Sequence, residues 1–134
     1  MSTTSCWPTA VCCLLLCTKT LLPGATFTVT KATDGGAGTL RQAILNANTN
    51  PGPNTIRFGI TTSGSGVKTI TLTSPLPPIT NSVMIDGTTQ SGYTGVKPMI
   101  EINGTNVSNY GFELQAGNSV IKALTINNFE DGGI

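Results

Sequence analysis

The chain has 134 residues, a formal net charge of +1, only 10% charged residues and no histidine. The near-neutral charge excludes the basic surface that binds nucleic acid, and without imidazole there is no His general base, His metal ligand or Ser-His-Asp triad. The length suffices for one modest domain with its own core, and the 23 Thr, 11 Asn and 16 Gly favour strands joined by turns.

The first 25 residues differ in composition from the rest. They hold all four cysteines, so no disulfide framework or Cys-based metal site spans the body; these are Cys6, Cys12, Cys13 and Cys17. The apolar run Ala10–Cys17 is shorter than the ~20 residues of a membrane span and has the length of the apolar region of a secretion signal. No Lys or Arg precedes it. Residues 1–25 are therefore interpreted as an atypical secretion signal or as the product of a misassigned start, outside the folded domain at residues 26–134.

Short segments that alternate apolar and polar residues recur from Thr26 onward, and each predicts a strand with one buried face. Turn signals such as Asp86-Gly87 and Asn103-Gly104 separate them. Strands of this kind suit either antiparallel hairpins in a sandwich or successive sides of a β-solenoid. The predicted strands are Thr26–Thr30, Thr55–Ile60, Lys68–Thr73, Ser82–Asp86, Met99–Asn103, Gly111–Gln115 and Ala123–Asn127.

One segment, Thr39–Asn48, has helical rather than strand periodicity. Its apolar residues follow the i, i+3, i+4, i+7 spacing of one helical stripe, namely Leu40, Ala43, Ile44 and Ala47. Thr39 with Gln42 three positions later matches a capping box. A solenoid needs its end covered, so this helix is predicted to be a structural cap rather than a ligand site.

A weak internal repeat favours the solenoid over the sandwich. The stretch Thr71–Gly87 aligns with Glu113–Asn128 at an offset of 41–42 residues, which matches Val83 with Leu124 and Ile85 with Ile126. That offset equals two coils of about 20 residues, within the range of solenoid repeats.

The N-terminal part of the body, Phe27–Phe58, resembles the corresponding segment of bacterial right-handed parallel β-helix proteins, including those with a CSLREA-type motif; it reads FTVTKATDGGAGTLRQAILNANTNPGPNTIRF. Pro75–Gly95 and Ala116–Phe129 resemble the first coils of these proteins. Gly38-Thr39 replaces the Cys-Ser of that motif and Gln42 replaces its Glu. The resemblance implies a pectate-lyase-like fold (the pectin lyase fold) in secreted or surface proteins, and it implies no particular substrate.

The candidate catalytic acids are scattered singly, whereas glycoside hydrolysis needs two positioned carboxylates. They are Asp34, Asp86, Glu101, Glu113, Glu130 and Asp131. Glu101 and Glu113 are predicted on outer strand faces, where one face of adjacent coils would bring them near each other, although solvated side chains are the simpler interpretation. The Gly-rich stretch Asp34–Gly38 before the helix is explained by a tight turn rather than by anion binding, and calcium would need a denser acidic set. The sequence therefore predicts no catalytic, cofactor-binding or metal-binding residue.

The predicted fold class is all-β: the N-terminal part of a right-handed parallel β-helix (solenoid) over residues 26–134, with one short amphipathic capping helix, further coils beyond Ile134 and an end prone to association. Two functions remain open. The first is a structural or adhesive module of a secreted or cell-surface bacterial protein, with a polysaccharide or cell-surface ligand, no cofactor and no membrane span. The alternative is part of a carbohydrate-active enzyme (polysaccharide lyase or glycoside hydrolase) whose active site lies in coils outside this sequence. The predicted core comprises Ile56, Phe58, Ile70, Leu72, Val83, Ile85, Ile100, Ile102, Leu114, Leu124 and Ile126.

Overall fold

The computed structural model describes residues 23–134, so the four cysteines and the apolar run Ala10–Cys17 of the expected signal segment lie outside the described residues. The described part forms seven β-strands, one α-helix and a single turn of 3-10 helix at Gly87–Thr89. In chain order the main elements are β1 (Thr26–Val29), α1 (Leu40–Thr49), β2 (Asn54–Phe58), β3 (Lys68–Thr71), β4 (Val83–Asp86), β5 (Ile100–Asn103), β6 (Val120–Lys122) and β7 (Leu124–Asn127).

The strands form two parallel sheets, and from β2 onward consecutive strands alternate between them. One sheet has the order β1-β2-β4-β6 and the other has the order β3-β5-β7. In the first sheet Ile56 pairs with Ile85, and in the second sheet Ile102 pairs with both Ile70 and Ile126. Rows of branched apolar residues in register therefore line the inner face of each sheet, where they pack well on a pleated surface.

Side chains from both sheets and from α1 form one buried cluster. Eight of the eleven predicted core residues are buried, from Ile56 to Ile102 in the predicted order. The prediction was wrong at Leu114, which is 40% exposed, and Leu124 and Ile126 are half-buried in the last strand. Burial thus decreases toward β6 and β7, because the structure pairs no further strand with their outer edges within residues 23–134.

Helix α1 begins at the predicted position. Thr39 is its N-cap, and the Thr39 hydroxyl oxygen accepts a hydrogen bond from the Gln42 backbone N–H at 3.3 Å. The reciprocal half of the capping box is absent from the described hydrogen bonds, and the Gln42 amide nitrogen donates to Asn46 Oδ1. The predicted apolar stripe is buried, and a fully buried Leu or Ile side chain such as Leu40 or Ile44 contributes about 1.5–3 kcal/mol. This burial stabilises a ten-residue helix that would be marginal in isolation.

The C-terminal end of α1 is held by the buried side chain of Asn54, which is 1% exposed. Its amide nitrogen donates to the carbonyls of Ala47 and Asn50, both at 2.9 Å. Its amide oxygen accepts from the backbone N–H of Ala25 at 2.9 Å and from Asn50 Nδ2 at 2.8 Å. One side chain therefore adds hydrogen bonds to two carbonyls at the end of the helix and ties the helix to Ala25, just before β1.

The predicted fold class, an all-β right-handed parallel β-helix, is wrong: the described residues form a small α/β structure with two parallel sheets and one helix, and no solenoid is detected in them. The helix shares its core with both sheets. The step between paired strands is also irregular, since it is 29 residues from Thr26 to Thr55, 36 from Met84 to Val120 and 24 from Ile100 to Leu124. The predicted repeat of about 20 residues per coil is therefore not observed. The antiparallel sandwich is excluded as well, because every described strand pair is parallel.

Two further local predictions were wrong, and one strand was missed. The aligned pair Val83 and Leu124 belongs to different sheets, so the similarity between their segments reflects common strand composition rather than stacking. The predicted strand Gly111–Gln115 is absent apart from an isolated bridge between Ile79 and Leu114. The strand β6 was missed because it has only three residues, which is too short for an alternating pattern to be recognised.

Candidate functional site

The most regular polar surface in the described part of the chain is the outer face of the three-stranded sheet. Side chains alternate along a strand, so the neighbours of the buried Ile70 and Ile102 point outward. The parallel register aligns these outward residues in two rows, and neighbouring strands lie about 4.8 Å apart. We call the six residues the outer polar grid; they are Thr69, Glu101 and Thr125 in one row and Thr71, Asn103 and Asn127 in the other.

Glu101 is the central charge of the outer polar grid, and both of its carboxylate oxygens are engaged. Thr69 Oγ1 donates to Oε2 at 2.6 Å, and Asn127 Nδ2 donates to Oε1 at 2.7 Å. These two hydrogen bonds lower the pKa of Glu101, and a small desolvation effect opposes them. A general acid in glycoside hydrolysis needs a raised pKa. Glu101 therefore orders the grid and is not suited to donate a proton.

Glu101 and Glu113, which the sequence placed on one face, have separate surroundings. Glu113 lies outside the strands, and its Oε1 accepts a hydrogen bond from Gln115 at 2.7 Å. Its backbone carbonyl accepts from the N–H of Ile79. The two carboxylates share no hydrogen-bond partner, and no described hydrogen bond joins them.

Asp34 lies in the Gly-rich turn before α1, and both of its carboxylate oxygens accept hydrogen bonds that hold neighbouring segments together. Its Oδ1 accepts from Arg41 Nη2 at 2.7 Å and from Nε at 3.2 Å, and its Oδ2 accepts from the Thr73 backbone N–H and hydroxyl at 3.0 and 2.6 Å. Burial raises the pKa of Asp34, but the hydrogen bonds from Thr73 and Arg41 outweigh it and leave the pKa lowered. Arg41 also donates to the carbonyls of Ser74 and Pro75. The pair thus joins the turn, the helix and the segment after β3.

The remaining predicted acids are Asp86 and the consecutive residues Glu130 and Asp131. Asp86 forms an ion pair with Lys122 at 3.1 Å and accepts from the hydroxyl and backbone N–H of Thr88. Burial opposes the effect of these contacts, which together lower the pKa of Asp86. Glu130 and Asp131 are exposed. Residues 23–134 contain no group of three or more acidic, Cys or His side chains that could hold a metal ion.

A recess beside the start of β3 was missed by sequence reasoning. It is lined by the loop after β2, by Gln90–Gly92 and by Met99, with Lys68 as its charged residue. Three distant segments contribute to it, so no local motif in the sequence indicates it. The only available signal was the Gly- and Ser-rich loop composition of residues 61–66, which by itself predicts a flexible connection.

No family model matches this chain, and no curated protein or solved structure is significantly similar to it. The resemblance to β-helix proteins therefore stays a prediction without support from these comparisons. Among the described residues, no helix is both long and apolar enough to cross a membrane.

Proposed function

We propose that the domain is a non-catalytic structural or adhesive module of a secreted or cell-surface protein, and that its outer polar grid contacts a hydroxyl-rich partner such as a neutral polysaccharide. The observation that supports this proposal is the grid itself, which has six polar side chains in register on three parallel strands. Its single carboxylate is engaged by neighbours within the grid. The signal-like composition of residues 1–25 supports a location outside the cytoplasm.

The chemistry of the grid suits hydrogen bonding to sugar hydroxyls. Threonine hydroxyls and asparagine amides both donate and accept, so they pair with hydroxyl groups in either orientation. Thr71 and Thr125 are exposed and make no described side-chain hydrogen bond, which leaves their hydroxyls free for a partner. Because the strands hold these groups at fixed spacing, little conformational entropy is lost when a partner binds. The six positions include no aromatic residue, so we expect weak binding that benefits from a repeating polymer.

The non-catalytic part of the proposal is supported by the environment of the described acids. Asp34, Asp86 and Glu101 each accept at least two hydrogen bonds from neighbouring protein groups, and each has a lowered pKa. These features favour permanently ionised, structural carboxylates rather than general acids. The enzyme alternative depends on residues outside the described range and is supported by the sequence resemblance alone.

The proposal is tested by co-sedimentation of the full chain with insoluble neutral polysaccharides such as cellulose and chitin. The informative variant is the double substitution Thr71→Ala with Thr125→Ala, which removes two free hydroxyls without disturbing a described hydrogen bond. We expect the double variant to bind at least fivefold more weakly than the parent chain. The matched control is Thr94→Ala, at an exposed threonine outside the sheet, which should bind as the parent does.

Two results would contradict the proposal. Equal binding by the double variant and the parent would show that the grid does not contact the polysaccharide. An absence of binding to every polysaccharide tested would contradict the adhesive role. Release of reducing ends or of unsaturated sugar products by the purified chain would contradict the non-catalytic assignment and favour the enzyme alternative.

A further inference from the structure

A recess of about 320 Å³ lies beside the start of β3, away from the outer polar grid. Its walls carry the hydroxyl residues Thr61, Thr62, Ser65 and Ser91 together with Lys68. This volume lies at the small end of the range of ligand pockets, about 300–1,000 Å³. A recess of this size suits one small ring or a short chain, rather than an extended polymer.

One wall of the recess is fixed by a buried glutamine. Gln90 is 3% exposed, and its side-chain amide pairs with the backbone of Ile60 in both directions. The Ile60 N–H donates to Oε1 at 2.9 Å, and Nε2 donates to the Ile60 carbonyl at 3.0 Å. This pairing joins the loop after β2 to the turn after the 3-10 helix, so this wall of the recess is held in place by hydrogen bonds within the protein.

Lys68 gives the recess its charge. Its ammonium group donates to the carbonyl of Thr62 at 2.9 Å and to the carbonyl of Gly64. An ammonium group has three N–H donors, so one donor remains after these two contacts. Neither of the ion pairs described within residues 23–134 involves Lys68, and no Asp or Glu lines the recess. The recess therefore presents a positive point charge, fixed by two carbonyls and surrounded by hydroxyl groups.

The apolar part of the lining is small and lies to one side. Met99 and Ile60 contribute to it, and a methionine thioether adapts to the shape of a neighbouring group. A ligand that satisfies all of these features has a carboxylate, several hydroxyl groups and a small C–H face. Neutral apolar molecules would leave the third lysine donor and the hydroxyl groups without partners, which is unfavourable.

We propose that this recess binds a sugar acid, with its carboxylate on the ammonium group of Lys68 and its hydroxyl groups on the surrounding threonine and serine residues. The proposal does not depend on the outer polar grid, because the two surfaces share no residue. The same chemistry is offered by a free sugar acid and by the acidic terminal unit of a polysaccharide. Binding of the polysaccharide end requires that the rest of the polymer chain fits at the mouth of the recess, whereas binding of the free acid does not.

The test is a titration of the isotope-labelled full chain with glucuronate, followed by amide chemical shifts. We expect saturable shifts in residues 60–66 and 90–92, with an affinity in the millimolar range that is typical of small ligands with few contacts. Methyl glucoside, which has the hydroxyl groups but no carboxylate, should bind at least tenfold more weakly. An oligosaccharide ending in glucuronate separates the two sources: tighter binding than free glucuronate indicates a polymer end, and weaker binding indicates the free acid.

Three variants make the test specific. Lys68→Met should weaken glucuronate binding at least tenfold, Lys68→Arg should retain most of it because the charge remains, and Lys31→Met is the control at an exposed lysine outside the recess. Equal affinity for glucuronate and methyl glucoside, or unchanged binding by Lys68→Met, would overturn the proposal. If Lys68→Met does not fold, the comparison of the two ligands on the parent chain decides alone. Failure of polysaccharide binding by the outer polar grid would leave this result unaffected.

Discussion

Replacing Asp34 with Asn removes the negative charge at the junction of the Gly-rich turn, helix α1 and the segment after β3. The substitution preserves the size of the side chain. It also preserves one acceptor oxygen, but it places an NH₂ group against either Arg41 or Thr73, which already donate to this position. The variant therefore turns at least one favourable contact into a donor–donor contact, because the Thr73 hydroxyl can also accept but its N–H and the Arg41 guanidinium cannot, and it leaves the Arg41 charge without its anionic partner.

The expected loss of stability follows from the burial of the pair. The side chains of Arg41 and Asp34 are 19% and 10% exposed, at an N–O distance of 2.7 Å. Breaking a fully buried ion pair costs about 3–5 kcal/mol, whereas an exposed pair contributes about 0–1 kcal/mol. For this largely buried pair with residual solvent contact we expect a loss of about 2–3 kcal/mol. At about 4 °C per kcal/mol for a domain of this size, Tm should fall by about 8–12 °C.

The same substitution should change the pH dependence of stability. The pKa of Asp34 is lower in the folded than in the unfolded chain, so its contribution is complete above the unfolded value of about 3.9 and is lost as pH falls toward the folded value. The pKa values of Asp86 and Glu101 are also lowered, and these two groups contribute equally to the parent and to Asp34→Asn. The difference in unfolding free energy between the parent and Asp34→Asn should therefore shrink as pH falls from 5 toward 2.

The assay is urea unfolding followed by far-UV circular dichroism at pH 7 and at pH 3, for the parent, for Asp34→Asn and for the exposed control Asp131→Asn. Adding Arg41→Gln to Asp34→Asn should cost less than the sum of the two single losses, because both remove the same contact. The reasoning is refuted if Asp34→Asn lies within 0.5 kcal/mol of the parent at pH 7, or if its deficit is the same at both pH values.

Three further substitutions test other buried contacts by the same unfolding assay. Asn54→Ala removes the four side-chain hydrogen bonds that join Ala47 and Asn50 at the end of α1 to the N–H of Ala25, and should lower stability by about 3 kcal/mol and reduce the helical signal. Gly87→Ala should lower stability by about 2 kcal/mol, because the added Cβ meets the backbone carbonyl of Ala123. Gln90→Leu should cost about 3 kcal/mol, since the N–H and carbonyl of Ile60 lose their buried partner.

Each of these substitutions has a matched control of the same chemistry at an exposed site. Asn106→Ala replaces an exposed side chain, Gln115→Leu removes only an exposed hydrogen bond to Glu113, and Gly66→Ala adds a Cβ where nothing lies within 4 Å. All three controls should stay within about 0.5 kcal/mol of the parent. A buried-site variant as stable as its control would show that the corresponding contact does not stabilise the fold.

Local periodicity made several elements predictable. The stripe from Leu40 to Ala47 indicated α1 because a helix repeats every 3.6 residues, and the segment is helical over Leu40–Thr49. The alternation at Ile100 and Ile102 indicated β5 and its buried face in the same way. The outward positions of Glu101 and Asn103 follow from that alternation alone. The sequence therefore predicted which residues of β5 face outward, but not which strands lie beside β5.

The pairing of those elements could not be predicted by the same means. The alternation around Val83 and around Leu124 is alike, yet the two segments lie in different sheets. Alternation states that one face of a strand is buried, but it carries no information on the strand that lies beside it. The predicted β-helix depended in part on a repeat of about 20 residues per coil, and the steps of 24 to 36 residues between paired strands do not show that repeat.

The recess at Lys68 could not be predicted from the sequence for the same reason. Gln90 and Ile60 are thirty residues apart, and their hydrogen bonds bring two unrelated loops together. Nothing in either loop taken singly distinguishes it from an ordinary solvated connection. The long-range contacts formed on folding decide that these loops face each other and that Lys68 lies between them.

The sequence by itself therefore determined the composition class, the helix and most of the buried faces, because these depend on residues within a few positions of one another. The tertiary structure alone decided the parallel order of the two sheets, the hydrogen bonds from Thr73 to Asp34, and the placement of Lys68 in a recess. Each of these features joins groups that are distant in the chain, and their energies come from burial and hydrogen bonding across that distance.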